Sequence, residues 1–169
     1  MDKHTVSVLV DNQSGVLVRV ASLFSRRGFN IESLAVGTTH DEDISRITVI
    51  TRCDQRELDQ IASQLSKLVC VRAVQVLPPD KSISRELLLI KVKTGSERRT
   101  EVMLIATAFR AHILDVARET MTLELTGESS KISALIALMA DFGILETMRT
   151  GIVALERDAG TIYHTLREE

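Results

Sequence analysis

Residues 5–28 read TVSVLVDNQSGVLVRVASLFSRRG, and this stretch predicts a strand, a tight turn and a helix in succession. Valines at positions 6, 8 and 10 alternate with other residues, which is the period-2 pattern of a β-strand. Residues 11–15 are rich in turn-forming types. Apolar residues then recur at helical spacing, and two arginines followed by Gly28 are typical of a helix end. The helical apolar positions are Leu17, Val20, Ala21 and Phe24.

The pattern continues to residue 77 and completes one unit. Residues 31–39 and 44–52 are extended runs joined by an acidic tip, which predicts a hairpin. Asp54 and Glu57 form a capping pair ahead of a second helical pattern. Valine-rich residues 69–77 then supply a fourth strand.

The second half repeats this order after a proline-containing break. Its expected elements are a strand at 86–94, a helix carrying Val102 to Phe109, strands at 112–117 and 121–127, a helix capped by Ser129 or Ser130 and stopped by Gly143, and a strand at 144–155. The predicted fold class is therefore α+β, with two tandem ferredoxin-like βαββαβ domains. We expect domains at 1–77 and 86–169 with a linker at 78–85, because Pro78 and Pro79 neither continue nor begin a strand easily.

Composition excludes several function classes. Among 169 residues the net charge is −2 and aromatic residues make up 3%, so there is neither a basic field nor a stacking platform for nucleic acid. No stretch is apolar enough to favour a membrane span. Cys53 and Cys70 accompany no export pattern, so we expect a cytoplasmic protein with reduced thiols.

One face of each predicted sheet has no helix to cover it. A unit of about 75 residues buries too little surface to leave such a face bare. Residues 31–36 and 47–50 also carry apolar side chains on both faces or at an edge. We therefore expect a homodimer, with sheets joined or stacked.

Motifs for catalysis and metal binding are missing. The four histidines are far apart, and none has a second ligand at a common metal-site spacing. No nucleophile elbow, P-loop or dinucleotide-binding glycine pattern occurs. We assign no catalytic residue, no metal ligand and no cofactor to this chain.

The turn at 11–15 is the one candidate site. The backbone N–H groups of Gly15, Val16 and Leu17 lie at a predicted helix N-terminus, which attracts a carboxylate. Asn12 can accept from an ammonium group and donate to a carboxylate, so the two ends of an amino acid would both be met. Asn30 begins the second strand, where an amide needs a partner, for example from a second subunit. The same residues also suit an ordinary turn, with a serine cap on the helix.

Several segments together resemble the regulatory small subunit family of acetohydroxyacid synthase, also called acetolactate synthase. The matching segments are DNQSGVL (11–17), FSRRGFNIESL (24–34), SRITV (45–49), QLSKLV (64–69), REL (85–87), FRA (109–111), ILDV (113–116) and TGIVAL (150–155). The resemblance implies that residues 1–77 form an ACT domain and that the second half is a related regulatory domain. It also implies a non-catalytic subunit that activates a catalytic large subunit and confers feedback inhibition by a branched-chain amino acid, usually valine.

The resemblance further implies where that effector and the cofactors are held. The effector would lie between the ACT domains of a dimer, with one group of residues from each chain. Those residues are Asn12, Gly15, Val16 and Leu17 from one chain and Asn30 and Ile31 from the other. Thiamine diphosphate, Mg²⁺ and often FAD would be bound by the catalytic partner. The alternatives are an amino-acid-sensing domain of a transcriptional regulator, for which no basic DNA-reading helix pattern is present, and a small free-standing enzyme.

Overall fold

The computed structural model describes residues 2–166, which contain four α-helices and nine β-strands. In chain order the elements are β1 (Asp2–Asp11), α1 (Val16–Arg27), β2 (Ile31–Thr38), β3 (Ile44–Cys53), α2 (Gln55–Leu65), β4 (Val71–Leu77), β5 (Ser82–Lys93), α3 (Arg99–Phe109), β6 (His112–Val116), β7 (Thr120–Gly127), α4 (Ser129–Met139), β8 (Ile144–Arg149) and β9 (Val153–Glu156). Short 3₁₀ turns occupy Pro79–Lys81, Ala140–Phe142 and Ile162–Thr165.

The first sheet is fully antiparallel with strand order β2-β3-β1-β4. Valines 6, 8 and 10 of β1 point to one face, as the period-2 pattern predicts, and join a buried cluster with Val20 and Phe24 of α1. α2 packs on the same cluster through Leu58, Ile61 and Leu65. Both helices therefore cover one face of this sheet.

The predicted helix ends are confirmed in the first unit. Asp54 Oδ1 accepts from Glu57 N at 2.8 Å, and Glu57 Oε2 accepts from Asp54 N at 2.9 Å, a complete capping box for α2. Gly28, in the left-handed region, follows the last residue of α1, and its N–H bonds to the carbonyls of Phe24 and Ser25.

Four of the five strands of the second sheet repeat the first, and the fifth, β9, pairs with β5 off this path. The order β6-β7-β5-β8 is the same arrangement shifted by four strands, and the pairs are again antiparallel. Alternate residues of β5, from Leu88 to Val92, pack against α3 and α4 in a second buried cluster. The predicted fold class, two tandem ferredoxin-like βαββαβ units, is confirmed.

The predicted cap of α4 is wrong. The N-cap residue is Glu128, and no side chain caps this end. Ser129 is instead the first helical residue, and its Oγ donates to Glu86 Oε2 at 3.0 Å. Glu86 is buried and also receives hydrogen bonds from Arg149, which raise the pKa of that guanidinium. Satisfying a buried carboxylate outweighs a helix cap here.

The predicted C-terminal boundary is also wrong. The expected strand at 144–155 is broken into β8 and β9 at Gly151, whose φ of +78° only glycine adopts without strain. The second compact unit is Arg85–Gly151, and the described residues from Ile152 onward belong to the first unit. The expected linker is short, since β5 already begins at Ser82. Residues 1 and 167–169 of the predicted domains lie outside the described part of the chain.

The returning segment crosses the sheet face that α1 and α2 leave open. Ile152 N donates to Ser33 Oγ on β2 at 3.1 Å, and Gln75 Nε2 on β4 donates to Glu156 Oε2 at 2.6 Å. Because β2 and β4 are the two edges of this sheet, the segment spans the whole face.

A small apolar cluster anchors the end of this segment. Ile162 is 1% exposed and packs with Leu9, Ile44 and Ala73, while Tyr163 packs beside them. The chain itself therefore covers part of the face that sequence analysis assigned to a second copy. The homodimer stays a prediction.

We predict that Ile162→Ala lowers the free energy of unfolding of the first unit by about 2–5 kcal/mol, because it leaves a cavity against the sheet. Urea unfolding followed by circular dichroism measures this. Leu155→Ala is the matched control, since Leu155 belongs to the same segment but is 56% exposed. Equal stability of the two variants would contradict the packing of Ile162 against the sheet.

Candidate functional site

The N-terminus of α1 is open at Gly15. This residue is the N-cap with φ +82°, and no side chain of the described residues caps the helix. A Cβ built at Gly15 would meet nothing within 4 Å, so open space lies beside the backbone. The left-handed conformation explains why glycine occupies this position.

Few protein groups use the N–H donors at this helix end. The first regular helical bond runs from Arg19 N to Gly15 O, at 3.1 Å. Val16 N reaches only Gln13 O, at 3.4 Å, which is a long hydrogen bond. The first N–H groups of a helix point outward and carry the positive end of its dipole. This end of α1 can therefore accept a carboxylate.

Asn12 ties the turn to the β2–β3 hairpin. Its Nδ2 donates to Glu42 O at 2.7 Å, its Oδ1 accepts from Ser45 Oγ at 3.0 Å, and its backbone N donates to Asp43 O at 2.7 Å. An amide has four hydrogen-bonding positions, so two remain for a ligand. Sequence reasoning did not find Ser45 or the hairpin loop, because no local signal marks a contact 33 positions away.

Asp11, at the end of β1, does not leave an unbalanced negative charge beside this helix end. Its Oδ1 accepts from Arg72 Nε at 2.6 Å, and Arg72 lies on β4. The ion pair offsets a charge that would otherwise repel a carboxylate ligand.

The six predicted site residues fall into two groups within one chain. Asn12, Gly15, Val16 and Leu17 lie together after β1. Ile31 pairs with Thr51, which pairs with His4, so Asn30 and Ile31 lie level with the opposite end of β1. Seven strand residues at about 3.3 Å each separate the groups by about 23 Å. The two groups within one chain are therefore too far apart to contact the same amino acid.

Exposed apolar side chains surround the first group. Val16 is buried in the core cluster, so only its backbone faces outward, whereas Leu17 and Val18 are exposed. Val36 of β2 points to the helix-covered face, since it pairs with buried Ile47, yet it is 49% exposed. These side chains form an apolar margin beside the polar helix end.

The described residues show no metal centre, because no cluster of three His, Cys, Asp or Glu side chains lies among them. Among the helices described between residues 2 and 166, none has the length and apolar character of a membrane span.

Both cysteines are unpaired and buried. Burial, with smaller contributions from Glu57 and Asp54, raises the pKa of the Cys53 thiol, so little thiolate forms.

Family models match both halves of the chain. Residues 6–73 match the AHAS small subunit-like ACT domain, and residues 85–158 match the small subunit of acetolactate synthase. A probable acetolactate synthase small subunit from Archaeoglobus fulgidus is 48% identical over 155 residues, covering 92% of this chain and 97% of the relative. The chain belongs to the acetolactate synthase small subunit family.

Other members of the acetolactate synthase small subunit family agree in length and fold. The Mycobacterium leprae acetolactate synthase small subunit is 47% identical over 154 residues, 91% of each chain. The crystal structure of the Thermotoga maritima small subunit superposes with a TM-score of 0.90 at 40% identity, covering 95% of this chain and 100% of that one. Membership favours the regulatory-subunit interpretation over a transcriptional sensor or a free-standing enzyme.

We predict that Cys53 of this small subunit reacts with a disulfide reagent about a hundredfold more slowly than a free thiol, because it is 2% exposed and largely protonated. Labelling of a Cys70→Ser variant isolates Cys53, and the same variant in denaturant gives the unprotected rate. Rapid labelling of the folded variant would contradict the buried thiol.

Proposed function

We propose that the chain is a non-catalytic regulatory subunit that binds a branched-chain amino acid, valine, and activates the catalytic subunit of acetolactate synthase. Family membership supports the class, and the open N-terminus of α1 at Gly15 supports the effector. In this proposal the outward N–H groups at the start of α1 hold the carboxylate. The remaining lone pair of Asn12 Oδ1 accepts from the ammonium group, and Leu17 contacts the aliphatic side chain.

The proposed effector site is completed by a second copy. β2 is an edge of the first sheet, and its residues Ile31–Thr38 pair with another strand on one side only. An unpaired strand edge is a template for another strand. Antiparallel pairing of two β2 strands about a two-fold axis sets Ile31 of one copy beside Thr38 of the other. Thr38 pairs with Ser45, which bonds Asn12, so Asn30 and Ile31 would then approach the partner's helix end.

Effector binding at such a seam gives a route to regulation. A ligand shifts an equilibrium only by its difference in affinity for two states. A coupling of about 1–3 kcal/mol changes the partner's equilibrium by about 5- to 150-fold. In the proposed mechanism, valine orders the turn and the dimer seam, and the catalytic subunit distinguishes the ordered form from the unordered one.

In this proposal thiamine diphosphate and Mg²⁺, and often FAD, are bound by the catalytic partner, which performs the carboligation. The residues of this chain bind the effector, and the resulting change in the dimer seam alters the activity of the catalytic subunit. Because valine, isoleucine and leucine differ by one methylene or its placement, worth about 1–3 kcal/mol, the effector preference is graded.

We predict that Gly15→Asp weakens valine binding at least about a hundredfold, because its carboxylate would face the ligand carboxylate. Calorimetric titration of the purified chain measures binding, and an assay with the catalytic subunit checks that activation persists. Gly15→Ala is the matched control: it carries the same backbone strain without the charge, and we expect it to bind valine within about tenfold of the unaltered chain. Undiminished valine binding by Gly15→Asp would remove this helix end as the effector site.

We predict that the chain is a dimer at micromolar concentration and that Val36→Lys weakens the dimer about tenfold or more, because it places charge at the β2 edge. Sedimentation equilibrium measures the dissociation constant. Val69→Lys is the control, since Val69 is 93% exposed and lies away from β2. A monomeric unaltered chain would refute both the dimer and the composite site.

A further inference from the structure

A shallow groove of about 290 Å³ runs between the outer surfaces of α1 and α2. Seven side chains line it, and we call it the cationic groove. They are Arg19, Leu23, Arg26, Arg27, Gln64, Lys67 and Leu68. Four of the seven are positively charged, and none is a carboxylate.

The four cations are not neutralised within the described chain. The ion pairs of this unit, from Lys3 and Arg52 to Glu32 and from Arg72 to Asp11, use other residues. Four like charges around one depression repel each other, so the groove favours an anionic occupant.

The floor of the cationic groove is apolar. Leu23 and Leu68 are partly buried and pack against the core cluster of the first unit. Gln64, also partly buried, adds an amide that both donates and accepts. A fitting occupant therefore combines negative charge with at least one apolar side chain.

The spacing of the cations favours a polypeptide over a compact anion. Arg19 and Arg26 are seven residues apart on α1, which is about 10 Å along the helix axis. At this separation the two guanidinium groups can each pair with a different anionic group of an extended ligand. A single phosphate is too small to contact both. The groove follows α1 from Arg19 near its start to Arg26 and Arg27 in its last turn, so the cations are spread along the helix instead of meeting at one point.

We propose that the cationic groove is the docking surface for an acidic, amphipathic segment of a protein partner. The inference rests on the proposed function, which makes that partner the catalytic subunit. Carboxylates of the segment pair with the cations around the rim, and an apolar side chain packs on Leu23 and Leu68. Electrostatic pairing of this kind speeds association and makes it salt-dependent.

The groove is separate from the proposed effector site. Arg19 follows Leu17 by two residues, so at about 100° per residue their side chains lie on opposite sides of α1. Substitutions in the groove can therefore be made without altering the groups proposed to hold valine. In this proposal α1 carries both the effector site and the cationic groove. A movement of α1 on valine binding would therefore also move the surface that contacts the partner.

The test compares two double variants with the same charge change. Arg19→Glu with Lys67→Gln alters the groove. Arg56→Glu with Lys131→Gln is the control, because Arg56 lies in the first turn of α2 and Lys131 in the first turn of α4, both outside the groove. Each purified chain is titrated with the catalytic subunit at two salt concentrations, with valine, and with inorganic phosphate and tripolyphosphate. Thermal melting confirms that the variants are folded.

We expect the groove variant to bind the catalytic subunit about tenfold or more weakly with a smaller salt dependence, and the control to bind within about twofold. Both should bind valine like the unaltered chain. Equal catalytic-subunit affinity of the two variants would overturn the docking surface alone. Phosphate or tripolyphosphate binding that only the groove variant loses, with unchanged partner affinity, would overturn it in favour of a small-anion site. An unaltered chain that fails to bind the catalytic subunit would instead refute the proposed function and this inference with it.

Discussion

The packing of α1 on the valines of β1 is the contact on which the rest of the first unit depends. Val20 and Phe24 bury against alternate β1 residues, and this fixes both the position and the direction of the helix. Its N-terminus is thereby held at the end of β1, beside the β2–β3 hairpin. Its outer surface is left to face α2 and form the cationic groove. A strong local preference for strand, turn and helix thus leads to two separate functional surfaces.

The second constraint is that a sheet has two faces, while each βαββαβ unit supplies one helical layer. In the first unit the chain itself covers the second face of the sheet. Residues 152–166 return across that face from one edge to the other. The edge of β2 stays unpaired within the described residues. Coverage of the face and pairing at the edge are therefore separate questions. The edge of β2 is where we expect a second copy to pair.

The candidate effector site was only partly predictable from residue types and their spacing. Gly15 and the adjacent helix start were predictable, because a positive φ and a helix N-terminus are properties of a few consecutive residues. The use of Asn12 was only partly predictable. Its amide already bonds Ser45 and Glu42, and these partners become visible only when the hairpin is placed against the turn. The division of the six residues between two ends of the sheet likewise required the strand register.

The sequence by itself determined the two βαββαβ units, most helix ends and the family, because periodicity, caps and turns are encoded by near neighbours. Tertiary structure alone decided that Ser129 bonds Glu86 instead of capping α4, that the chain turns back at Gly151, and that four cations meet between α1 and α2. Each of these depends on residues far apart in the chain. These arrangements are determined by the burial of a charge, the covering of a sheet face and the packing of two helices. A local sequence pattern does not predict which distant residues will be in contact.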